Sequence, residues 1–316
     1  MIARQGWHCR TTMNTFPNRF TRNAIDLFGD VGREWLERLP SIIAECERKW
    51  SLTAMVPFES LSYNYIVPAV RTDGTQVILK IGVPNPELST EIEALLVYDG
   101  CGSVKLLDVD RDRGALLLER LRPGTSLLSM TDDEEATHIA AQVMRQLWRP
   151  VPPDHPFPTV NRWAAGLVRM RKYFGGTTGP MPEALVEKAE RLSAELFDSV
   201  ADSVLLHGDL HHENILSAER QPWLAIDPKG IVGEPAYEVG ALLRNVSPRL
   251  FDQPQPSQTI ARRVDILAAE LGFDRTRLLG WGLAQAVLAA WWCIKDHGGG
   301  WEGFIRCAEL IDGVMD

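Results

Sequence analysis

Apolar residues recur at helical spacing from 32 to 50, at Trp35, Leu36, Leu39, Ile42, Ile43 and Cys46. That period predicts an amphipathic helix, and Pro40 inside it predicts a kink or a split. The pattern then changes. Residues 52–58, 65–70 and 76–81 read as strands. Between the last two, Arg71-Thr72-Asp73-Gly74-Thr75 is a hairpin signal, because Asp-Gly supplies the positive-φ positions of a tight turn. A helix should follow, with Asn85 as N-cap, Pro86 as first residue, Leu88, Ile92, Leu95 and Leu96 as apolar face, and Gly100 as stop. Residues 103–109 and 115–119 add two strands.

Arg120-Leu121-Arg122-Pro123-Gly124 breaks the pattern and reads as a hinge, after which the chain turns mostly helical. Thr131 to Glu134 forms a capping box opening a helix through Ile139, Val143, Leu147 and Trp148. Residues 150–158 carry five prolines and predict a loop, with helices expected at 163–174 and 183–197. A loop is expected at 252–258, then helices at 262–271 and 276–297. Trp281, Trp291 and Trp292 read as core or as pocket wall.

Two features do not fit a purely structural pattern. Lys80 interrupts the apolar strand 76–81, and a buried lysine is costly without an acidic partner. The next helix offers Glu91 and Glu93; Glu91 lies nearer the apolar edge and is the expected partner, with Glu93 the alternative. The second feature is Val204-Leu205-Leu206-His207-Gly208-Asp209-Leu210-His211-His212-Glu213-Asn214-Ile215-Leu216, which reads as strand, polar loop, strand. Within it, His207, Asp209 and Asn214 have the spacing of a phosphotransferase catalytic loop, whose Asp accepts the acceptor hydroxyl proton and whose Asn holds magnesium. Asp227, leaving the apolar run Leu224-Ala225-Ile226, is the expected second metal carboxylate. A zinc site on His207, His211 and His212 is the competing reading. It would need a helix, and Gly208 and Asp209 are poor helix residues. His207 reads as a loop brace rather than a proton carrier.

The run His-Gly-Asp-Leu-His-x-x-Asn-Ile-Leu resembles the aminoglycoside phosphotransferase branch of the protein-kinase-like superfamily, with Gly208 where protein kinases have Arg. Leu61-Ser62-Tyr63-Asn64-Tyr65 is similar to the streptomycin-6-phosphotransferase and hydroxyurea-kinase group within it. The resemblance implies an α+β, bilobal, protein-kinase-like fold, with an antiparallel sheet plus helix in the amino lobe and a mostly helical carboxy lobe. It divides the chain into a flexible extension (1–23), a nucleotide-binding lobe (24–119), a hinge (120–125) and a catalytic and acceptor lobe (126–316). It implies ATP and Mg2+ as cofactors and a small hydroxyl acceptor, an aminoglycoside, hydroxyurea or another metabolite.

By the same resemblance, Asp209 is the catalytic base, Asn214 and Asp227 are the metal ligands, and Lys80, paired with Glu91, holds the nucleotide phosphates. Ser60 and Ser62 fall where a glycine-rich loop covers the phosphates, although no glycine is present. Main-chain groups near Glu119 and Leu121 would meet the adenine edge. Gly233-Glu234-Pro235-Ala236-Tyr237-Glu238 is similar to a Gly-Asp-Pro-Ala-Tyr-Asp segment whose second acid braces the catalytic loop. Glu238, one methylene longer, leaves its hydrogen bonds open. An aminoglycoside acceptor would need carboxylates, for which Glu234, Asp252, Asp296, Glu302 and Asp312 are candidates, and Gly298-Gly299-Gly300-Trp301 would line its site.

The net charge of −9 speaks against a nucleic-acid partner and suits a cationic acceptor. Five scattered cysteines without metal spacing indicate a reducing compartment, and no long apolar span or leader is expected, so a cytoplasmic enzyme without a membrane partner follows. A pseudokinase interaction module and a metal-dependent hydrolase are the readings from other classes.

Overall fold

A computed structural model describes residues 16–58, 61–200, 202–245 and 248–315. The amino lobe is an antiparallel sheet in the order β1-β2-β3-β5-β4, formed by β1 (Leu52–Ala54), β2 (Tyr65–Arg71), β3 (Gln76–Ile81), β4 (Leu106–Asp110) and β5 (Ala115–Glu119). Its two faces are covered by α1 (Asn18–Trp50) and α2 (Pro86–Tyr98). Alternation along the strands sorts the residues. Val77, Leu79, Ile81, Ala115 and Leu117 pack with Phe20, Trp35, Leu39 and Ile43 of α1. Ile78, Leu116 and Leu118 pack with Leu88, Ile92 and Leu95 of α2. The same alternation turns Lys80 toward α2, out of the α1 cluster.

The amino terminus differs from the expectation. Residues 18–23, expected within a flexible extension, are the start of α1, and Phe20 is fully buried; residues 1–15 lie outside the described residues. The helix breaks at Gly29, with φ 58° and ψ −129°, rather than at Pro40. Gly29, lacking a Cβ, takes that conformation at little cost, and Gly32 then packs against the Ala24 carbonyl with no room for a Cβ. Pro40 costs one backbone hydrogen bond, and burial of Leu39, Ile42 and Ile43 around it keeps the helix continuous. Smaller shifts occur elsewhere: α2 stops at Asp99 rather than Gly100, in a left-handed conformation.

The lobes join through Arg120 to Arg122. The rest of the expected hinge belongs to β6 (Pro123–Ser126), which pairs with β8 (Ile215–Ala218), itself paired with β9 (Trp223–Ala225). A second ladder pairs β7 (Val204–Leu206) with β10 (Ile231–Gly233). Around these pack α3 (Asp133–Leu147), α4 (Val160–Tyr173), α5 (Glu183–Asp198), α6 (Val239–Arg244), α7 (Pro248–Phe251), α8 (Pro256–Leu271), α9 (Arg275–His297) and α10 (Glu302–Met315). Asp132, not Thr131, caps α3, accepting from the Glu134 and Glu135 amides. The segment expected as a loop to 258 is helical from Pro256, which takes the first-turn position where its missing N–H costs nothing. Helix α9 is long and apolar enough to cross a bilayer, yet 78% of its most apolar window is buried inside the protein, as a core helix.

Candidate active site

Two antiparallel ladders bring the polar residues together. In the β8–β9 hairpin, Ile215 faces Ala225, so the flanking Asn214 and Asp227 emerge at one end, tied by the Ile226 amide donating to the Asn214 carbonyl at 2.9 Å. In the β7–β10 ladder, Leu206 faces Ile231, and the Lys229 amide donates to the His207 carbonyl at 2.8 Å. The loop carrying Asp209 and the segment carrying Asp227 therefore lie side by side.

The loop is held from below. Glu238 accepts from the His207 amide at 2.6 Å and from the Gly208 amide at 2.9 Å, so the longer side chain makes a bidentate brace. Its burial pushes the carboxyl up to about 7, against the pull of those two amides. His207 is fully buried; its Nε2–H donates to the Ile226 carbonyl at 2.8 Å and its Nδ1 accepts from the Asp209 amide at 3.2 Å. Both nitrogens are used, and burial lowers the imidazole to about 4. His207 thus braces the loop as a neutral ring. With both nitrogens engaged, the His207 ring is not free to bind zinc, and no group of three or more histidines, cysteines and acids suited to a metal occurs among the described residues.

Lys80 is 3% exposed, with its ammonium 2.6 Å from Glu91 Oε1 and also paired with Asp227 Oδ1. Glu93 instead pairs with Arg111 at 2.8 Å. Burial disfavours the charged lysine, but Asp227 and Glu91 outweigh it and raise Lys80 above its usual range. Burial would likewise raise Asp227, but Lys80 and Lys229 hold its carboxyl far below the carboxylate range. Asp227 adopts φ 61°, a conformation open to Gly, Asn and Asp and strained for most other side chains. Asn214 donates from Nδ2 to the Asp209 carbonyl at 2.9 Å, which fixes which end of its amide is oxygen. Asn214 and Asp227 together offer the hard oxygen donors that suit Mg2+.

Asp209 faces a cleft of about 530 Å³ lined by Tyr63, Trp163, Arg244, Trp292, Asp296 and His297, among others. Arg244 donates to Asp209 Oδ1 at 2.7 Å. Burial would raise Asp209, but Arg244, His211 and Lys229 outweigh it and keep the carboxyl below its ordinary range.

Other expected residues fall elsewhere. Ser60 lies outside the described residues. Ser62 lies on the loop before β2, its carbonyl bonded to Asn23 Nδ2 at 3.1 Å. The Glu119 carboxylate is spent on Arg220 and the Lys105 amide, and its own amide donates to the Lys105 carbonyl. Leu121 is buried in the α2 cluster with Leu88 and Ile92. Of the five candidate acceptor acids, only Asp296 lines the cleft. Glu234 is buried against Arg277 and Trp281, Asp312 pairs with Lys188, and Asp252 lines a separate cavity. The glycines 298–300 are not among its lining residues; Gly298 caps α9 in a left-handed conformation. Trp281 and Trp291 are core, and Trp292 is wall. Sequence reasoning missed Arg244 and Lys229. Arg244 ends a short apolar helix 35 residues from Asp209, with no spacing signal; Lys229 was visible only as a neighbour of Asp227.

A lysine–glutamate pair facing this two-loop arrangement across an interlobe cleft defines a phosphotransferase of the protein-kinase-like fold. More narrowly, the chain belongs to the aminoglycoside/hydroxyurea antibiotic resistance kinases, whose family pattern matches residues 49–298. It is 34% identical to a streptomycin 6-kinase of Streptomyces griseus, over 85% of this chain and 87% of that one. It is also 34% identical to a hydroxyurea phosphotransferase of Kitasatospora aureofaciens, over 85% and 77%. Among solved structures, a choline kinase from Streptococcus pneumoniae matches with a TM-score of 0.62 at 17% identity, covering 87% of this chain and 99% of that one. An aminoglycoside phosphotransferase in complex with ADP and hygromycin B matches at 0.60 and 12% identity, over 86% and 97%; both show the shared fold. The protein is an ATP-dependent phosphotransferase acting on a hydroxyl group.

Proposed function

We propose that the protein phosphorylates an aminoglycoside hydroxyl, at the 6 position of a streptomycin-type acceptor, and so gives antibiotic resistance. The observation that carries this is the opening of Asp209 into a cleft of about 530 Å³, a volume suited to a drug-sized molecule rather than to hydroxyurea alone. Similarity to two streptomycin 6-kinases supports it.

In this reading Lys80, held by Glu91, binds the α- and β-phosphates of ATP. Main-chain groups near Glu119 and Leu121 meet the adenine, and Ser62 would cover the phosphates. Asn214 and Asp227 would hold Mg2+, which supplies charge neutralisation on the transferring group. Asp209, with Oδ1 occupied by Arg244, presents Oδ2 to the acceptor hydroxyl, orients it toward the γ-phosphorus and takes its proton as the new P–O bond forms and the bond to ADP breaks. His207 and Glu238 keep the loop rigid.

The hydroxyurea reading has one observation in its favour. Cleft residues Arg169, Lys229, Arg244 and Lys295 offset its acids, so the site is less anionic than a polycationic acceptor would favour. Purified protein with ATP and either compound separates the two: phosphorylated streptomycin supports the first reading, and transfer to hydroxyurea alone overturns it.

A further inference from the structure

The stretch between β1 and β2 carries no glycine, yet its described second half is pinned from several sides. Leu61 is 4% exposed within the α1 cluster. The Ser62 carbonyl accepts from Asn23 of α1 at 3.1 Å. The Asn64 amide oxygen packs on Gly82, where a Cβ would force it to move. Tyr63, between them, reaches across to the other lobe: its hydroxyl is hydrogen-bonded to His297 Nε2 at 2.8 Å, with ring centroids 6.1 Å apart. Tyr63 and His297 are 234 residues apart, and both line the cleft into which Asp209 opens.

We propose that Tyr63 is an acceptor-binding residue supplied by the amino lobe, and that His297 is the positioning residue that holds its ring over the acceptor. This rests on reading that cleft as the acceptor site. Where Ser62 is read as covering the nucleotide phosphates, the neighbouring Tyr63 places the acceptor under the same short strip of chain, which would shield both substrates from water. Tyr63 completes an aromatic wall with Trp163, Trp292 and Phe304. Such a wall favours an acceptor that presents a flat face, a saturated ring or a delocalised cation, with its reacting hydroxyl at the rim toward Asp209. A glycine-rich loop gains closure through backbone freedom; here side-chain anchors replace it, and one anchor belongs to the acceptor lobe.

The test compares Tyr63→Ala, Tyr63→Phe, His297→Ala and His297→Gln with the unaltered protein. The readouts are KM for streptomycin, KM for ATP, kcat, thermal midpoint, and ATP hydrolysis without acceptor. Tyr63→Ala should raise the acceptor KM about tenfold, equivalent to one lost aromatic contact, and more than it lowers kcat. It should also raise acceptor-independent hydrolysis. His297→Ala should act in the same direction more weakly, and His297→Gln, which keeps a polar partner for the hydroxyl, should restore coupling. The inference is overturned if Tyr63→Ala keeps the acceptor KM within about twofold. It is also overturned if both KM values rise together with a fall in thermal midpoint, the mark of a lobe-joining strut. If the unaltered protein transfers nothing to streptomycin, the acceptor reading fails instead. Hydrolysis without acceptor then decides: a rise in Tyr63→Ala supports the roof, and no rise overturns it.

Discussion

Arg244 at the end of α6 donates to Asp209 Oδ1 at 2.7 Å, and this ion pair sits inside the cleft rather than behind it. Arg244 opposes the burial that would otherwise raise the Asp209 carboxyl. Arg244→Met should therefore shift the acidic limb of the kcat profile to higher pH. Asp209 then protonates more readily and loses activity at a pH where the unaltered protein still works. A limb that stays in place removes Arg244 from this role.

Asp209→Asn should lower kcat by roughly 10²–10⁴-fold, the usual value of a positioned base. Nucleotide binding should persist, since Lys80 and Asp227 are untouched. Single-turnover kinetics with a fluorescent nucleotide separate the two effects, and unchanged transfer would exclude Asp209 as the base.

Glu91 and Glu93 are two residues apart on α2 and have different partners, the buried Lys80 and the surface Arg111. Glu91→Ala leaves a lysine ammonium in an apolar setting with one counter-ion and should lower kcat/KM for ATP at least about tenfold. Glu93→Ala loses an exposed pair and should stay within about twofold. Equal effects would contradict the assignment.

His207 and Glu238 give opposite pH dependence of stability. His207 protonates near 4 in the folded state against 6.5 when unperturbed, so between those values the unfolded chain binds more protons, and stability falls as pH falls. Glu238 protonates near 7 against 4.5, so over that interval the folded chain binds more protons, and stability rises as pH falls. Each effect amounts to about 2 kcal/mol between pH 7 and 5, and they nearly cancel. Urea unfolding at the two pH values should show His207→Gln becoming relatively more stable at pH 5 and Glu238→Gln relatively less. Parallel behaviour of the two variants would refute the linkage.

Much of the candidate site's geometry was legible because it depends on short-range patterns. Two strand–loop transitions carry Asp209 and Asp227, and alternation along 76–81 turns Lys80 away from the α1 cluster. Helical phase alone favours Glu91 over Glu93, and the structure pairs Glu91 with Lys80. The cleft in front of Asp209 was less legible. Its wall draws Tyr63, Trp163, Arg244 and Trp292 from four distant segments, and no local spacing reports that they meet. The break in α1 was misplaced for a different reason. Proline's cost is fixed and local, whereas the burial on either side of Pro40 that keeps the helix continuous depends on packing.

Asp227→Ala should abolish metal-dependent nucleotide binding in a calorimetric titration, since Asp227 joins Asn214 at the expected metal site and also pairs with Lys80. Normal binding would separate Asp227 from the nucleotide.

The most direct measurement is mass spectrometry of streptomycin after incubation with ATP, Mg2+ and the protein, with fragmentation to locate the added group. The account predicts one phosphoryl group on the 6-hydroxyl, matched by one ADP, and none with Asp209→Asn. Absence of a phosphorylated product despite bound ATP, or full transfer by Asp209→Asn, would contradict it.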